Sequence, residues 1–210
     1  MGISHGLVVT NYHTFRDALS RSRGEVGASV THPLTGRSWE GRVIAADPVA
    51  DLLLIAVPDG DLDWVQLSGS SPTPGLPCAL FGYPNAGPLQ TITGQFNHND
   101  YIGEGGMRFW EVSIPGISGD SGGGMFASNG CLSGVICRTD GQTSVVIDVA
   151  DVVRICEKAG IPPRKPEQPA QEQKLVEVQA KEDDNIVADR IAELVMQRLN
   201  ERVDKLLESK

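Results

Sequence analysis

The segment "ISGDSGGGMF" at residues 117–126 places four glycines and one serine around an aspartate and a central serine. A Gly/Ser-rich segment of a globular protein is usually a turn. A serine hydroxyl can also act as a nucleophile when a base lies next to it. Ser121, the central serine, is therefore either a turn residue or an attacking group, and the rest of the chain has to distinguish the two.

A serine hydroxyl is a weak nucleophile near neutral pH, and the usual base that activates it is histidine. The chain contains four histidines. His13 ends the apolar segment "LVVTNYH", so a strand can present it to a cleft. His5, His32 and His98 lie in terminal or polar stretches and are predicted to be surface residues. His13 is therefore the candidate base.

A histidine base needs a carboxylate that holds one tautomer and stabilises the imidazolium as it forms. Two aspartates are available in "AADPVADLLLIAV". Asp51 opens the apolar segment "LLLIAV", which would keep its carboxylate near the core. Asp47 precedes a proline and suits a turn. We therefore predict that Asp51 orients His13 and that Asp47 belongs to the turn.

The elements that must position these side chains are predicted to be strands. The first 160 residues contain short segments rich in Val, Ile and Thr, separated by Gly, Pro, Asp or Asn, at the spacing of a β-sandwich or β-barrel. Helical periodicity in this region is confined to a short segment near residues 149–159. The pattern predicts an all-β body.

The C-terminal part has a different composition. Residues 161–183 include "IPPRKPEQPAQEQ" and predict an extended Pro-rich and charged linker. Residues 184–210 lack Gly and Pro and place apolar residues at helical spacing, which predicts an amphipathic helix. This helix either docks on its own domain or forms a coiled coil that makes the protein a homo-oligomer.

Charge and hydropathy restrict the partners and the compartment. The formal net charge of −9 disfavours non-specific binding to nucleic acid or to an anionic membrane. No apolar run reaches the roughly 18 residues of a membrane span. The amino terminus "MGISHGLVVT" has no basic segment followed by an apolar stretch, so a cytoplasmic location is expected for the chain as given.

The four cysteines are sparse and form no CxxC pair. This pattern favours buried thiols over disulfides or a zinc site.

Taken together, the order His, Asp, Ser and the residues around each resemble the trypsin-like (chymotrypsin-fold) serine peptidases, and more closely their bacterial HtrA-like members. "VVTNYH", "DPVADLLLI" and "GDSGGGMF" are similar to the three segments that carry the catalytic residues in that family, and "GCLSGVIC" is similar to the strand beyond the nucleophile. The resemblance covers about residues 7–156. It implies two lobes built as six-stranded β-barrels and a serine endopeptidase that needs no metal or cofactor.

The resemblance also implies roles for individual residues. Ser121 would be the nucleophile, and the backbone N–H groups of Gly119 and Ser121 would form the oxyanion hole. Asp120 is expected to pair locally. The residues at the positions of the substrate pocket are uncharged except for one arginine, which implies a preference for small or apolar side chains: Pro115, Cys137, Arg138, Thr139 and Ser144.

The sequence departs from the family before the histidine segment. Only "MGISHG" precedes it, so the first barrel is expected to be truncated at its N-terminus. An incomplete lobe favours an alternative function, a catalytically impaired module that binds an extended peptide in the same cleft and recruits a partner through the C-terminal helix. An esterase with a "GxSxG" nucleophile is disfavoured, because the order of the catalytic residues and the scarcity of long helices do not suit that fold.

Overall fold

The structure is a computed structural model that describes residues 1–32, 35–58, 62, 64–102 and 106–161, together with residues 193 and 197. The predicted linker (161–183) and C-terminal helix (184–210) therefore lie almost wholly outside the described residues. Domain boundaries and oligomerisation through that helix stay predictions.

The first lobe is an open antiparallel sheet of five strands in the order β1-β2-β5-β4-β3. A short helix, α1 (Arg16–Arg21), follows the second strand and buries none of its side chains. The strands are β1 (Gly2–Ser4), β2 (Leu7–Thr10), β3 (Gly27–Thr31), β4 (Ser38–Asp47) and β5 (Leu52–Ala56). The fifth strand lies at the centre of the sheet and its leucines are fully buried, because "LLLIA" is apolar on both faces.

The second lobe is a closed antiparallel barrel of six strands in the order β10-β11-β8-β7-β6-β9. Its core includes Phe96 and Trp110, whose rings meet edge to face with centroids 5.6 Å apart. A 3₁₀ turn, Pro84–Ala86, follows the first strand of this lobe. The strands are β6 (Pro77–Gly82), β7 (Gln90–Ile102), β8 (Arg108–Val112), β9 (Gly124–Ala127), β10 (Leu132–Thr139) and β11 (Ser144–Asp148).

Helix α2 (Val149–Lys158) packs against strands of both lobes. Asp148 caps its N-terminus, since one carboxylate oxygen accepts a hydrogen bond from the Ala150 amide at 2.8 Å. The other oxygen accepts from the Trp110 indole N–H at 2.7 Å, so the cap is anchored in the barrel core. At its other end Lys158 lies 3.5 Å from Asp47 of the first lobe. Among the described residues, no helix is long and apolar enough to cross a lipid bilayer.

The predicted fold class is confirmed: the body is all-β, with a closed six-stranded barrel, a second sheet and the helix predicted near residues 149–159. Sequence patterns missed β1, β9 and α1. The "GMFA" of β9 follows directly on the Gly run around Ser121 and is only four residues long, so it reads as part of that loop. Helix α1 has no buried face, and without one it leaves no apolar periodicity to detect.

All four cysteines are buried thiols, as predicted. Burial raises the pKa of Cys78 to about 12 and that of Cys156 to about 11, so the reactive thiolate is scarce at neutral pH.

We expect none of the four thiols to react with a disulfide reagent on mixing with the native protein at about pH 8, and all four to react in denaturant. A thiol titration measures this directly, and rapid reaction of the folded protein would contradict it.

Candidate active site

A histidine and an aspartate meet at one end of the first lobe. Strands β2 and β5 pair antiparallel with Thr10 opposite Leu53, which brings the residue after β2 beside the residue before β5. His13 Nδ1 lies 2.7 Å from Asp51 Oδ2, and the His13 backbone N–H donates to Asp51 Oδ1 at 2.8 Å. The side chains are 42% and 25% exposed, so the ring can be reached from outside while the carboxylate is more covered.

Asp47 has a structural role in the turn that precedes Asp51. Its Oδ1 accepts the Ala50 amide at 2.9 Å and so closes the turn that leads into Asp51. Burial raises the pKa of Asp47, but the Ala50 hydrogen bond and the Lys158 ammonium outweigh burial and hold the pKa below its usual value. Asp47 is therefore a charged turn residue that helix α2 ties to the second lobe.

The loop that carries Ser121 belongs to the second lobe and reaches across to the first. The hydrogen bonds that fix its backbone include one from the Gly123 amide to Asp120 O at 2.8 Å and one from the Gly122 amide to Ile136 O at 3.0 Å. Gly122 has φ +82, and a Cβ there would lie 3.4 Å from Thr10 Cβ. The half-buried serine thus sits in a loop that contacts the end of β2, three residues before the histidine.

The Gly119 amide faces the cleft because of the turn after β6. The Asn85 amide donates to Ser118 O at 2.6 Å, and the C=O and N–H of a trans peptide point in opposite directions, so the Gly119 N–H points away from that turn. Within the described part of the chain, neither the Gly119 nor the Ser121 amide donates to a backbone carbonyl. Both N–H groups are therefore open to a negatively charged oxygen in the cleft.

Gly119 can be no other residue in this conformation. Its φ is +104, and a Cβ would lie 2.6 Å from Tyr83 O and 2.7 Å from the Asn85 nitrogen. Those are backbone atoms and cannot swing aside.

Asp120 pairs locally, as predicted. Its side chain is buried, and Oδ2 accepts the Ile117 amide at 2.8 Å. Gly82 leaves room for this carboxylate, because a Cβ at that position would collide with it. Behind the loop lies a cavity of about 280 Å³ between the two lobes, lined mainly by apolar side chains such as Trp39 and Phe126.

The predicted pocket residues divide into two groups. Pro115, Arg138 and Thr139 are exposed, whereas Cys137 and Ser144 are buried. Cys137 Sγ donates to Val145 O at 3.3 Å. Burial, and then the negative charge of Asp51, raise the pKa of the Cys137 thiol to about 12.

Ser144 links two segments of the second lobe and does not present its hydroxyl to solvent. Its Oγ donates to Ile114 O at 2.7 Å and accepts the Gly116 amide at 2.9 Å. A Cβ on Gly116 would lie 2.6 Å from Ser144 Oγ and 3.2 Å from Thr139 Cβ. The segments that carry Gly116, Thr139 and Ser144 therefore lie close together.

The other histidines take no part in this constellation. His5 and His98 are exposed, and His98 lies 3.6 Å from Glu111 on the barrel surface. His32 is half-buried, accepts the Thr35 amide at 3.2 Å and borders the cavity behind the nucleophile loop.

Sequence reasoning missed two residues that shape the site. Asn11 is fully buried beside Asp51, and the Asn85 amide sets the direction of the Gly119 peptide. A polar residue inside the apolar segment "LVVTNYH" was a signal for Asn11, since a buried asparagine needs a hydrogen-bond partner. "YPNAG" signals a turn but gives no indication of what that turn contacts.

A His–Asp pair on one β lobe, and a Gly-rich serine loop on a closed β-barrel that approaches the same lobe, define a chymotrypsin-fold peptidase as the class. Residues 2–135 match the trypsin-like peptidase domain family. The chain belongs to this family of protease hydrolases. A comparison with the sequences of curated proteins finds no significant match.

Solved structures of bacterial proteases have the same fold. The active form of the Rv3671c protease from M. tuberculosis superposes with a TM-score of 0.63 at 22% identity, over 80% of this chain and 74% of that chain. The serine endoprotease from Yersinia pestis gives a TM-score of 0.64 at 19% identity, over 76% and 56%. The HtrA-type protease AlgW with a decapeptide gives 0.62 at 18% identity, over 76% and 50%. This chain thus spans only about half of the last two proteins.

Proposed function

We propose that the protein is a serine endopeptidase with a triad of His13, Asp51 and Ser121. The observation that carries the proposal is the paired contact of His13 with Asp51, through the ring nitrogen at 2.7 Å and the backbone N–H at 2.8 Å. One hydrogen bond holds the ring of His13 and the other holds its backbone, both on one carboxylate, at the end of the first lobe that the serine loop approaches. Such fixation is what a general base needs.

In this mechanism Ser121 Oγ attacks the carbonyl carbon of the substrate peptide, and His13 Nε2 takes the hydroxyl proton. The Nδ1–H of His13 donates to Asp51, whose negative charge stabilises the imidazolium without itself being protonated. The imidazolium then gives its proton to the leaving amine, and an acyl group remains on Ser121. A water molecule, deprotonated by the same ring, releases the acyl group and restores the serine.

The tetrahedral intermediate carries its negative charge on the former carbonyl oxygen. The amides of Gly119 and Ser121 would donate to this oxygen, because neither donates to a backbone acceptor in the described residues. Fixed donors in a water-poor cleft stabilise the transition state more than the ground state, and this difference is what accelerates the reaction.

We expect the enzyme to cleave after small residues. The pocket position is narrow, since the Cβ that Gly116 lacks would lie 3.2 Å from Thr139 Cβ, and no acidic side chain occupies the position of Pro115. In a series of otherwise identical peptides, kcat/KM for Ala or Val before the cleaved bond should exceed that for Phe or Lys by about 10-fold or more. A peptide-cleavage assay measures the series, and a preference for Phe or Lys would contradict the narrow pocket.

Hydrolysis of fluorescently labelled casein tests the proposed function. The wild-type chain should release labelled peptides and Ser121→Ala should release none, while Ser70→Ala, on an exposed serine outside the cleft, should match the wild type. Binding of casein without cleavage by a folded wild type would instead support the alternative function, a peptide-binding module. The open first lobe is the observation that favours that alternative.

A further inference from the structure

Asn11 lies two residues before His13 and has no part in the mechanism above. Its side chain is 0% exposed. Nδ2 donates to the backbone oxygen of Asp51 at 3.1 Å, whereas the buried Oδ1 has no hydrogen-bond partner in the described part of the chain. An unpaired buried acceptor destabilises a folded protein, so stability alone does not account for an asparagine here.

Asp51 has a backbone conformation that needs support. Its φ is +53, in the left-handed region that residues other than glycine rarely adopt. Its carbonyl oxygen accepts two hydrogen bonds, one from Asn11 Nδ2 and one from the Tyr12 amide at 3.1 Å. Its carboxylate accepts two more, both from His13. Residues 11–13 therefore hold Asp51 by four contacts, and Asn11 supplies one of the two on its backbone.

The opposite side of Asn11 is held as well. Thr14 Oγ1 donates to the Asn11 backbone oxygen at 2.7 Å, which closes the turn that carries His13. The side-chain amide of Asn11 therefore links the turn that carries His13 to the turn that carries Asp51.

We infer that Asn11 is a positioning residue, whose amide holds the Asp51 backbone in the left-handed conformation that aims the carboxylate at His13. The inference rests on the proposed function, because it assigns Asn11 an effect on the reactivity of Ser121. Asn11 acts through Asp51 and touches no reacting group. Without its donor, the Asp51 carbonyl keeps only the Tyr12 amide, and the carboxylate is less well fixed against the ring.

The test uses a fluorophosphonate probe, which reacts with an activated serine and needs no knowledge of the substrate. We compare the wild type with Asn11→Leu, which has a similar volume and no donor, and with Asn129→Leu as a matched control. Asn129 Oδ1 accepts the Cys131 amide at 2.9 Å in the turn between β9 and β10, at the opposite end of β9 from Ser121. The maximal labelling rate of Asn11→Leu should fall about 10- to 100-fold with an unchanged half-saturating probe concentration. Asn129→Leu should match the wild type.

Two further readouts separate positioning from general loosening. The proton between His13 Nδ1 and Asp51 should give a far-downfield NMR resonance in the wild type, and this resonance should shift or disappear in Asn11→Leu and persist in Asn129→Leu. In an Asp51→Asn background, which keeps the backbone carbonyl but not the carboxylate, Asn11→Leu should lower the labelling rate no further.

The outcomes are distinct. A labelled wild type and an equally reactive Asn11→Leu overturn the inference and leave the proposed function standing. A folded wild type that is not labelled overturns both. If the leucine variant does not fold, Asn11→Ala replaces it in the same measurements, and a failure of both variants to fold would make Asn11 a structural residue and overturn the inference.

Discussion

Asp51→Asn should lower the rate of peptide hydrolysis about 10⁴-fold in a protein that remains folded. The two oxygens of the Asp51 carboxylate each contact His13: one accepts the backbone N–H at 2.8 Å, and the other lies 2.7 Å from Nδ1. An asparagine has only one side-chain oxygen and cannot make both contacts as an acceptor. If the amide nitrogen faces the ring, Nδ1 must accept and the proton moves to Nε2, so the ring can no longer act as a base toward the serine. The loss should appear in kcat, and hardly in KM.

Asp47→Asn is the matched control for this change. The asparagine still has an oxygen to accept the Ala50 amide and loses only the ion pair with Lys158, which spans 3.5 Å at the protein surface. We expect its rate to stay within about threefold of the wild type, because exposed ion pairs contribute little. Comparable losses in the two variants would mean that the site depends on the turn and not on the Asp51 carboxylate.

Gly119→Ala should lower kcat about 10²- to 10³-fold, equivalent to about 3 to 4 kcal/mol of transition-state stabilisation. The added Cβ meets the Tyr83 oxygen at 2.6 Å, and φ of +104 is strained for alanine. The peptide must then turn, which breaks the bond from the Asn85 amide to Ser118 O and takes the Gly119 N–H out of the cleft.

The control for Gly119→Ala is Gly75→Ala. Gly75 has φ +80, so it carries a similar backbone strain, but no atom lies within 4 Å of its Cβ position. This variant should lose some thermal stability and keep its kcat. The measurement is kcat of the wild type and both variants on one peptide substrate. Equal kcat values for Gly119→Ala and the wild type would show that the Gly119 amide has no role in the mechanism.

Local sequence patterns predicted most of the strands of the fold. The alternation of β-prone segments with Gly, Pro, Asp and Asn predicted most of the strands, because most of them are short and lie between turn residues. The strand β9 and the helix α1 were missed for opposite reasons: β9 merges with the glycines of the serine loop, and α1 has no buried face. Neither failure changed the fold class.

The sequence predicted the parts of the candidate site in which the chemistry requires a particular side chain. It did not predict the parts in which a backbone group makes the contact. His13 and Asp51 followed from strand ends that deliver a base and a carboxylate, and the structure brings them to 2.7 Å. Ser144 was expected in the pocket wall, which stays a prediction, and the structure shows its hydroxyl buried and bridging two segments. The role of Asn85 depends on its amide alone, which every residue except proline has, so no side-chain pattern could reveal it.

The most direct test of the account is labelling of the 210-residue chain with a fluorophosphonate, read by intact mass and then by peptide mapping. The account predicts one probe molecule per chain, attached to Ser121, and no label on Ser121→Ala or His13→Ala. A folded wild type that takes up no probe, or that carries it on another residue, would contradict the claim that Ser121 is the nucleophile.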